Sequence, residues 1–279
     1  MIAKLDHSIG KPRQFVITTS KSVLLVEPHL HRVQRLHSGS GLYYGIDVSP
    51  QNILVAARNR MVSSSISPDS ERGEILVFEP GLQFVESIKP PFPLRDLHQI
   101  RRIGNRLFAT CSFDNMIAIF QDNIWMKWWP LGRPLSGPAD VNHFNSIEFV
   151  DGRLCLLAHN LSRPSEILVC NRDTLEIEER LTLGSQAHNI WKQTAEWCTC
   201  DSANGRLAGS AGFEVITGGF PRGISIGEDF SLVGISEIAE RGERDLTNAE
   251  IAIYDKGWKK IDSICLPNEG LILDISALS

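Results

Sequence analysis

The sequence predicts an all-β fold, a six-bladed β-propeller closed by its C-terminal strand, and three observations carry that prediction. A four-residue phrase with an apolar third residue recurs six times: Tyr44-Gly45-Ile46-Asp47, His98-Gln99-Ile100-Arg101, Asn145-Ser146-Ile147-Glu148, His188-Asn189-Ile190-Trp191, Arg222-Gly223-Ile224-Ser225 and Leu273-Asp274-Ile275-Ser276. Successive copies begin 34 to 54 residues apart, a period that fits one four-stranded blade. The first five copies are each followed by a turn and another apolar strand, whereas the sixth runs into the C-terminus.

The elements follow in order. The N-terminal unit supplies three strands, Phe15–Thr19, Ser22–Val26 and Arg32–His37, and the missing innermost strand is Leu271–Ser276. Joining both ends in one sheet hides open strand edges. The second unit reads Leu42–Val48, Ile53–Ala57, a polar loop Arg58–Arg72, Glu74–Phe78 and Leu82–Ile88. The third reads Leu97–Ile103, Leu107–Cys111, Met116–Phe120 and Ile124–Trp129, with a Gly104-Asn105 turn. The fourth reads Ser146–Val150, Leu154–Ala158, Ile167–Cys170 and Glu176–Leu183, with an Asp151-Gly152 turn. Both dipeptides are hairpin signals. The fifth unit is short, with Trp191 and Trp197 filling space, and leaves five blades open if it is not a full sheet. The sixth runs from Gly223 to about Cys265 with a charged loop, Glu237–Asn248. The chain reads as one domain, residues 1–279.

Composition narrows the classes. The chain is 42% hydrophobic and 22% charged, ordinary for a globular core. A net charge of −5 argues against a nucleic-acid partner. No apolar run reaches the roughly 20 residues needed to span a bilayer, and Met1–Lys11 has no signal-peptide core, so the expectation is a cytoplasmic protein away from membranes. Six cysteines fall in or beside strands without a CxxC spacing, and Cys198 and Cys200 read as buried thiols rather than a metal pair. Trp125-Met126-Lys127-Trp128-Trp129 fits an outer strand with most rings packed between blades.

In a propeller the innermost strands line the channel, and their starts meet the ends of the second strands at one mouth. That places Tyr44, His98, Asn145, His188 and Arg222 together, with His143 two residues before Asn145. The second strands add Asn59, Asp114, His159, Asn160, Asp201 and Glu237. The other histidines, His7, His29, His31 and His37, lie near the N-terminus. Imidazoles on rigid strands can hold a divalent metal with an open position. His98, His188 and His143 are the expected ligands of Zn, Fe or Mn, with no organic cofactor. Asn145, Asn160 or Asp114 would orient their rings. Arg222, fixed between Pro221 and Gly223, would clamp an anionic group of a small-molecule substrate, with Asn145, Asn189 and His159 beside it. Tyr44, Arg222 and His143 are the expected catalytic residues. A wet channel also explains such residues by solvation, and Asp274 reads as structural. No Gly-x-Ser-x-Gly elbow or phosphate-binding Gly-Lys-Ser/Thr loop occurs.

The sixfold layout with its completing C-terminal strand resembles the six-bladed propeller group of gluconolactonase/regucalcin-like, streptogramin lyase-like, NHL-repeat and peptide amidating lyase proteins. Phe220-Pro221-Arg222-Gly223 and Val233-Gly234-Ile235-Ser236 also resemble a poorly characterised bacterial propeller family. The resemblance implies a polar or metal site at the channel mouth. The amidating lyase implies histidines from separate blades around zinc with a Tyr and an Arg nearby, residue types that His98, His143, His188, Tyr44 and Arg222 supply. Gluconolactonase-like enzymes imply an acidic and amide set around calcium, from which this histidine-rich mouth departs. The expected function is a metal-dependent lyase, isomerase or hydrolase acting on a small anionic substrate. The alternative is a non-catalytic propeller that binds a peptide or protein through the Arg58–Arg72 and Glu237–Asn248 loops. Fold alone does not choose between them.

Overall fold

The structure, a computed structural model, describes residues 13–65, 67–134 and 139–278, so His7 and the Met1–Lys11 segment lie outside the described residues. Its strands form six four-stranded sheets. The C-terminal strand Ile272–Ala277 pairs antiparallel with Phe15–Thr19, placing Phe15 opposite Ala277 and Ile17 opposite Ile275. It thereby becomes the innermost strand of blade one, whose outer strands are Ser22–Glu27 and Arg32–Ser38.

Blade five is a complete sheet, which settles the blade number at six. Its outer strands, Arg206–Gly209 and Glu214–Ile216, span only four and three residues. Trp197 packs toward blade four and Trp191 toward blade six, replacing the bulk that longer strands supply elsewhere. The outer strands of blade four run longer than the sequence pattern suggested, as Pro164–Cys170 and Ile177–Ser185. Polar Ser165 and Glu166 hide that extension from an apolar reading. Asp151 and Gly152 both adopt positive φ between paired Val150 and Arg153, as a two-residue type I′ hairpin requires.

The core explains why the ring holds. Alternate residues of each strand face opposite neighbouring blades. In blade one, Phe15 and Ile17 pack toward blade six while Val16 packs toward blade two. Among the described residues six apolar clusters form, one at each blade interface. Trp125 and Trp129 pack on the interface of blades two and three, and Trp128 packs on the other face, toward blade four. Cys198 and Cys200 share the cluster between blades five and six, and burial pushes the Cys198 thiol up to about 12. No helix among the described residues is long and apolar enough to cross a membrane.

Each innermost strand carries a register shift at the repeated phrase: between Tyr43 and Ile46, Leu97 and Ile100, Phe144 and Ser146, His188 and Trp191, Pro221 and Ile224, and opposite Thr18/Thr19 in the closing strand. An extra residue on one strand bends it and re-aims its side chains. Six bulges at one level therefore set what the channel presents. Below them Gln99 and Asp274 fill the channel. The Asp274 carboxylate accepts from Ile46 N at 2.9 Å and from Gln99 Nε2 at 3.1 Å. Gly45 leaves room for Gln99, because a Cβ there would stand 1.6 Å from Gln99 Oε1 and 2.7 Å from its Cα.

Gly45→Ala is expected to lower unfolding free energy by about 1–3 kcal/mol through overpacking. Denaturant unfolding should show a smaller penalty in a Gln99→Ala background. Equal penalties in both backgrounds would contradict this packing of Gln99 over Gly45.

Candidate functional site

Above the bulges the channel opens into a cavity of about 380 Å³. Tyr44, His98, His188 and Arg222 reach it from the first place of the phrase. Asp96, His143, Gln186, Phe220 and Leu271 reach it from two residues earlier. Arg58 and His159, at second-strand ends, complete the inner wall, and residues of the Glu237–Asn248 loop form the rim. Asp96, His143 and Gln186 have φ of 55°, 51° and 47°. Non-glycine residues seldom occupy this region, and such strain clusters at functional sites.

The aromatic groups run round the channel in sequence. Ring centroids stand 4.3 Å apart for Tyr44–His98, 4.7 Å for His98–His143, 4.8 Å for His143–His159, 5.4 Å for His159–His188 and 5.5 Å for His188–Phe220. Arg222 closes the circle, its guanidinium carbon 4.7 Å from the Tyr44 ring centroid.

Hydrogen-bond partners assign the proton on each imidazole. His98 Nδ1 lies 2.8 Å from the Asp96 carbonyl oxygen, which only accepts, so Nδ1 carries the proton and Nε2 keeps its lone pair. His188 Nδ1 lies 2.9 Å from Ser202 Oγ. That hydroxyl donates to the Pro221 carbonyl at 2.6 Å, so it accepts from His188 and again leaves Nε2 basic. Ser112 repeats the device in blade three, contacting His98 Nδ1 at 3.1 Å and donating to the Phe144 carbonyl. His143 Nδ1 donates to Asp140 Oδ2 at 2.6 Å. His159 is opposite in sense: its Nδ1 accepts from Leu161 N at 3.1 Å, so a neutral ring donates from Nε2. Burial holds His98 and His188 well below the usual histidine range, and burial with the field of His143 and Arg222 lowers His159 to about 3.

Asp96 joins two of these histidines. Its carboxylate lies 3.6 Å from His98 Nδ1 and 3.7 Å from His143 Nδ1, and one ligand atom from each of the three falls within 4.8 Å of the others. Burial opposes the Asp96 charge, yet Arg58 with His98 and His143 holds its carboxyl well below the usual range. Arg58 contacts Asp96 Oδ1 at 2.5 Å and forks onto Glu71 at 2.8 and 2.7 Å. Glu71 also accepts from the Asp96 backbone N–H at 2.8 Å, which pins the strained residue. Two imidazoles and one carboxylate suit Zn²⁺ or a non-haem Fe²⁺-type ion. Asp140 Oδ1, behind His143, is buried without a hydrogen-bond partner, as an outer carboxylate facing additional positive charge would be.

Arg222 is 7% exposed, and among the described residues no carboxylate lies within 4.0 Å of it. The alternatives of an ion pair with Asp274 or Glu237 are therefore absent from the structure. Asp274 instead belongs to the mid-channel bonds, where burial raises its carboxyl despite Arg101.

The other expected residues lie elsewhere. Asn145 is buried behind the pocket and donates to the Ala187 carbonyl, because the bulge in its strand swings it toward blade five. Asn189 lines a separate cavity of about 290 Å³ toward the other end of the channel and accepts from Gly223 N. Asp114 pairs with Arg95, Asn160 bonds Pro164 and Glu166, and Asp201 bonds Arg206. Asn59 bonds Arg72 and Glu74. None of these orients an imidazole; Ser112, Ser202, Asp140 and the Leu161 N–H do so. The sequence reading passed over Asp96, Gln186 and Phe220, although each precedes its phrase by two residues, as His143 does. Arg58 and Glu71 carried no comparable signal, since a loop separates them.

No family model and no curated protein matches this sequence. Solved structures do match in shape. A chain from a nidogen/laminin complex aligns over 95% of this chain and 98% of its own, with a TM-score of 0.66 at 11% identity. A protein of unknown function from Bacteroides caccae aligns over 96% and 99%, again at 0.66, with 10% identity. At such identity these likenesses bear on the fold alone, and neither says anything of the site.

The depressed histidines set a pH dependence. An unfolded histidine protonates near 6.5, whereas folded His159 resists until about 3. Between those values the unfolded chain binds more protons, so stability is full above about 6.5 and falls as pH drops, at up to about 1.4 kcal/mol per pH unit for each such histidine. Melting temperature should fall from pH 7 to pH 4.5, and His159→Asn should flatten the slope. A variant slope as steep as that of the unaltered protein would show that His159 is not held neutral.

Proposed function

We propose that this protein is a metal-dependent enzyme of the lyase, isomerase or hydrolase kind, acting on a small anionic molecule in the upper cavity. One observation carries the reading: the Asp96, His98 and His143 cluster shares its cavity with a buried arginine that has no carboxylate partner. We take residues 1–279 as one domain built around that cavity.

Asp96, His98 and His143 are the residues that would hold the divalent ion, of the Zn, Fe or Mn class. Such an ion supplies Lewis-acid polarisation of a substrate oxygen. The chain itself does the rest. Arg222, itself buried, binds an anionic group of the substrate through its guanidinium fork. His159 donates a hydrogen bond from Nε2, and His188 offers an unprotonated Nε2 to a substrate proton. The Tyr44 hydroxyl accepts from Arg58 at 3.3 Å, which leaves its own proton to be passed into the cavity and recovered. Arg58 and Glu71 keep Asp96 charged and in place.

The competing reading is a propeller that binds a peptide or protein at its rim. It draws on Ile238 and Leu246, which are 77% and 67% exposed on the charged loop beside the cavity.

Elemental analysis of the purified protein is expected to give close to one equivalent of a divalent transition metal. His143→Ala and Asp96→Asn should each weaken retention by roughly 100-fold or more, beyond the 10–100-fold typical of outer partners. Asp140→Asn should fall within that lesser range. A chain that holds no metal, and takes up none on titration, would leave the rim-binding reading.

A further inference from the structure

We propose that the molecule bound in the upper cavity carries two anionic groups, one met by Arg222 at the inner wall and the other by Arg241 and Arg244 at the rim. The inference rests on the reading of this cavity as an anion site and adds the substrate's charge pattern to it.

Each carboxylate lining the cavity already has a partner, Asp140 through Oδ2 alone. Asp96 pairs with Arg58, Asp140 bonds His143, and Glu237 accepts from Asn248 N and Nδ2. Arg58 is in turn taken up by Glu71. Three lining arginines, Arg222, Arg241 and Arg244, have no carboxylate within 4.0 Å among the described residues. A cavity of about 380 Å³ thus gathers three guanidinium groups that no carboxylate of the described residues pairs with directly, Asp96 acting on Arg241 only at longer range.

The two groups of arginine are separate in the fold. Arg222 comes from the innermost strand of blade six, stacked over Tyr44. Arg241 and Arg244 come from the two-turn 3-10 segment Arg241–Leu246 of the rim loop. That segment is anchored. Asp245 is 2% exposed, and its Oδ2 accepts from both Ser63 N and Ser63 Oγ at 2.8 Å, tying the loop of blade six to that of blade two. Thr247 Oγ1 donates to the Arg244 carbonyl, and Gly270 N donates to the Thr247 carbonyl. Arg244 Nε donates to the Ala239 carbonyl, which uses one of its five N–H groups and leaves the fork ends for a ligand. Arg222 is itself part of the aromatic circle of the inner wall, whereas Arg241 and Arg244 belong to the rim loop. A single carboxylate satisfies one set; a molecule charged at both ends satisfies both.

The test is binding of acetate and inorganic phosphate, with one anionic group each, against succinate and phosphoglycolate, with two, followed by ligand-observed NMR on the full-length protein as purified. A two-group ligand is expected to bind about tenfold or more tightly than its one-group counterpart. Arg241→Ala/Arg244→Ala should abolish that preference and leave acetate and phosphate affinity within about twofold. Arg222→Gln should weaken all four. If one- and two-group ligands bind alike, or if the rim double variant keeps the preference, the inference falls while the anion site stands. If none of the four binds, the anion site and the inference fall together. Unchanged melting temperature in the rim variant, whose side chains lie outside the core, secures the comparison.

Discussion

The antiparallel pairing of Ile272–Ala277 with Phe15–Thr19 is the constraint on which the rest of the molecule depends. It supplies blade one with its innermost strand, and with that strand comes Asp274. The Asp274 carboxylate reaches a backbone N–H of blade two and the Gln99 side chain of blade three. Gln99 directly follows His98, so the closing strand bonds to the strand that carries the first site histidine. The bulges then turn a packing motif into a binding surface: the apolar third residue packs inward, and in four of the six phrases the first residue, Tyr44, His98, His188 or Arg222, is released toward the channel.

The electrostatics of the site follow from where each charge is spent. Glu71, Arg58 and Asp96 form a buried chain, and such a chain is tolerated only when every member is bonded. It fixes a carboxylate beside His143 and beside His98, whose imidazole burial keeps neutral. A neutral imidazole costs less to bury than a charged one and still offers a lone pair, which is the state a metal or a proton acceptor requires. Arg222, buried on the inner wall, has no carboxylate within 4.0 Å among the described residues, which is what supports the anionic ligand proposed for the cavity.

Much of this was legible in the sequence because it repeats. The phrase gave the blade number, the closing strand and the level at which Tyr44, His98, His188 and Arg222 meet. The short fifth unit was ambiguous because strands of three and four residues leave almost no periodicity. Asn145 and Asn189 were misplaced for a physical reason: alternation predicts where a strand residue points only while the register is regular, and both lie at bulges. Asp96 was recoverable, since the two-residue offset that placed His143 also places it. The Arg58–Glu71 pair was not, because it depends on how a thirteen-residue separation folds back, and no local pattern records that.

The central claim is that buried His98 and His188 present basic Nε2 atoms to the cavity at neutral pH. Nitrogen-15 NMR of histidine-labelled protein at pH 7 tests it most directly, with His98→Gln, His159→Gln and His188→Gln variants for assignment. The account predicts neutral rings, with the proton on Nδ1 in His98 and His188 and on Nε2 in His159. Imidazolium signals for His98 and His188, or a proton on their Nε2, would contradict it.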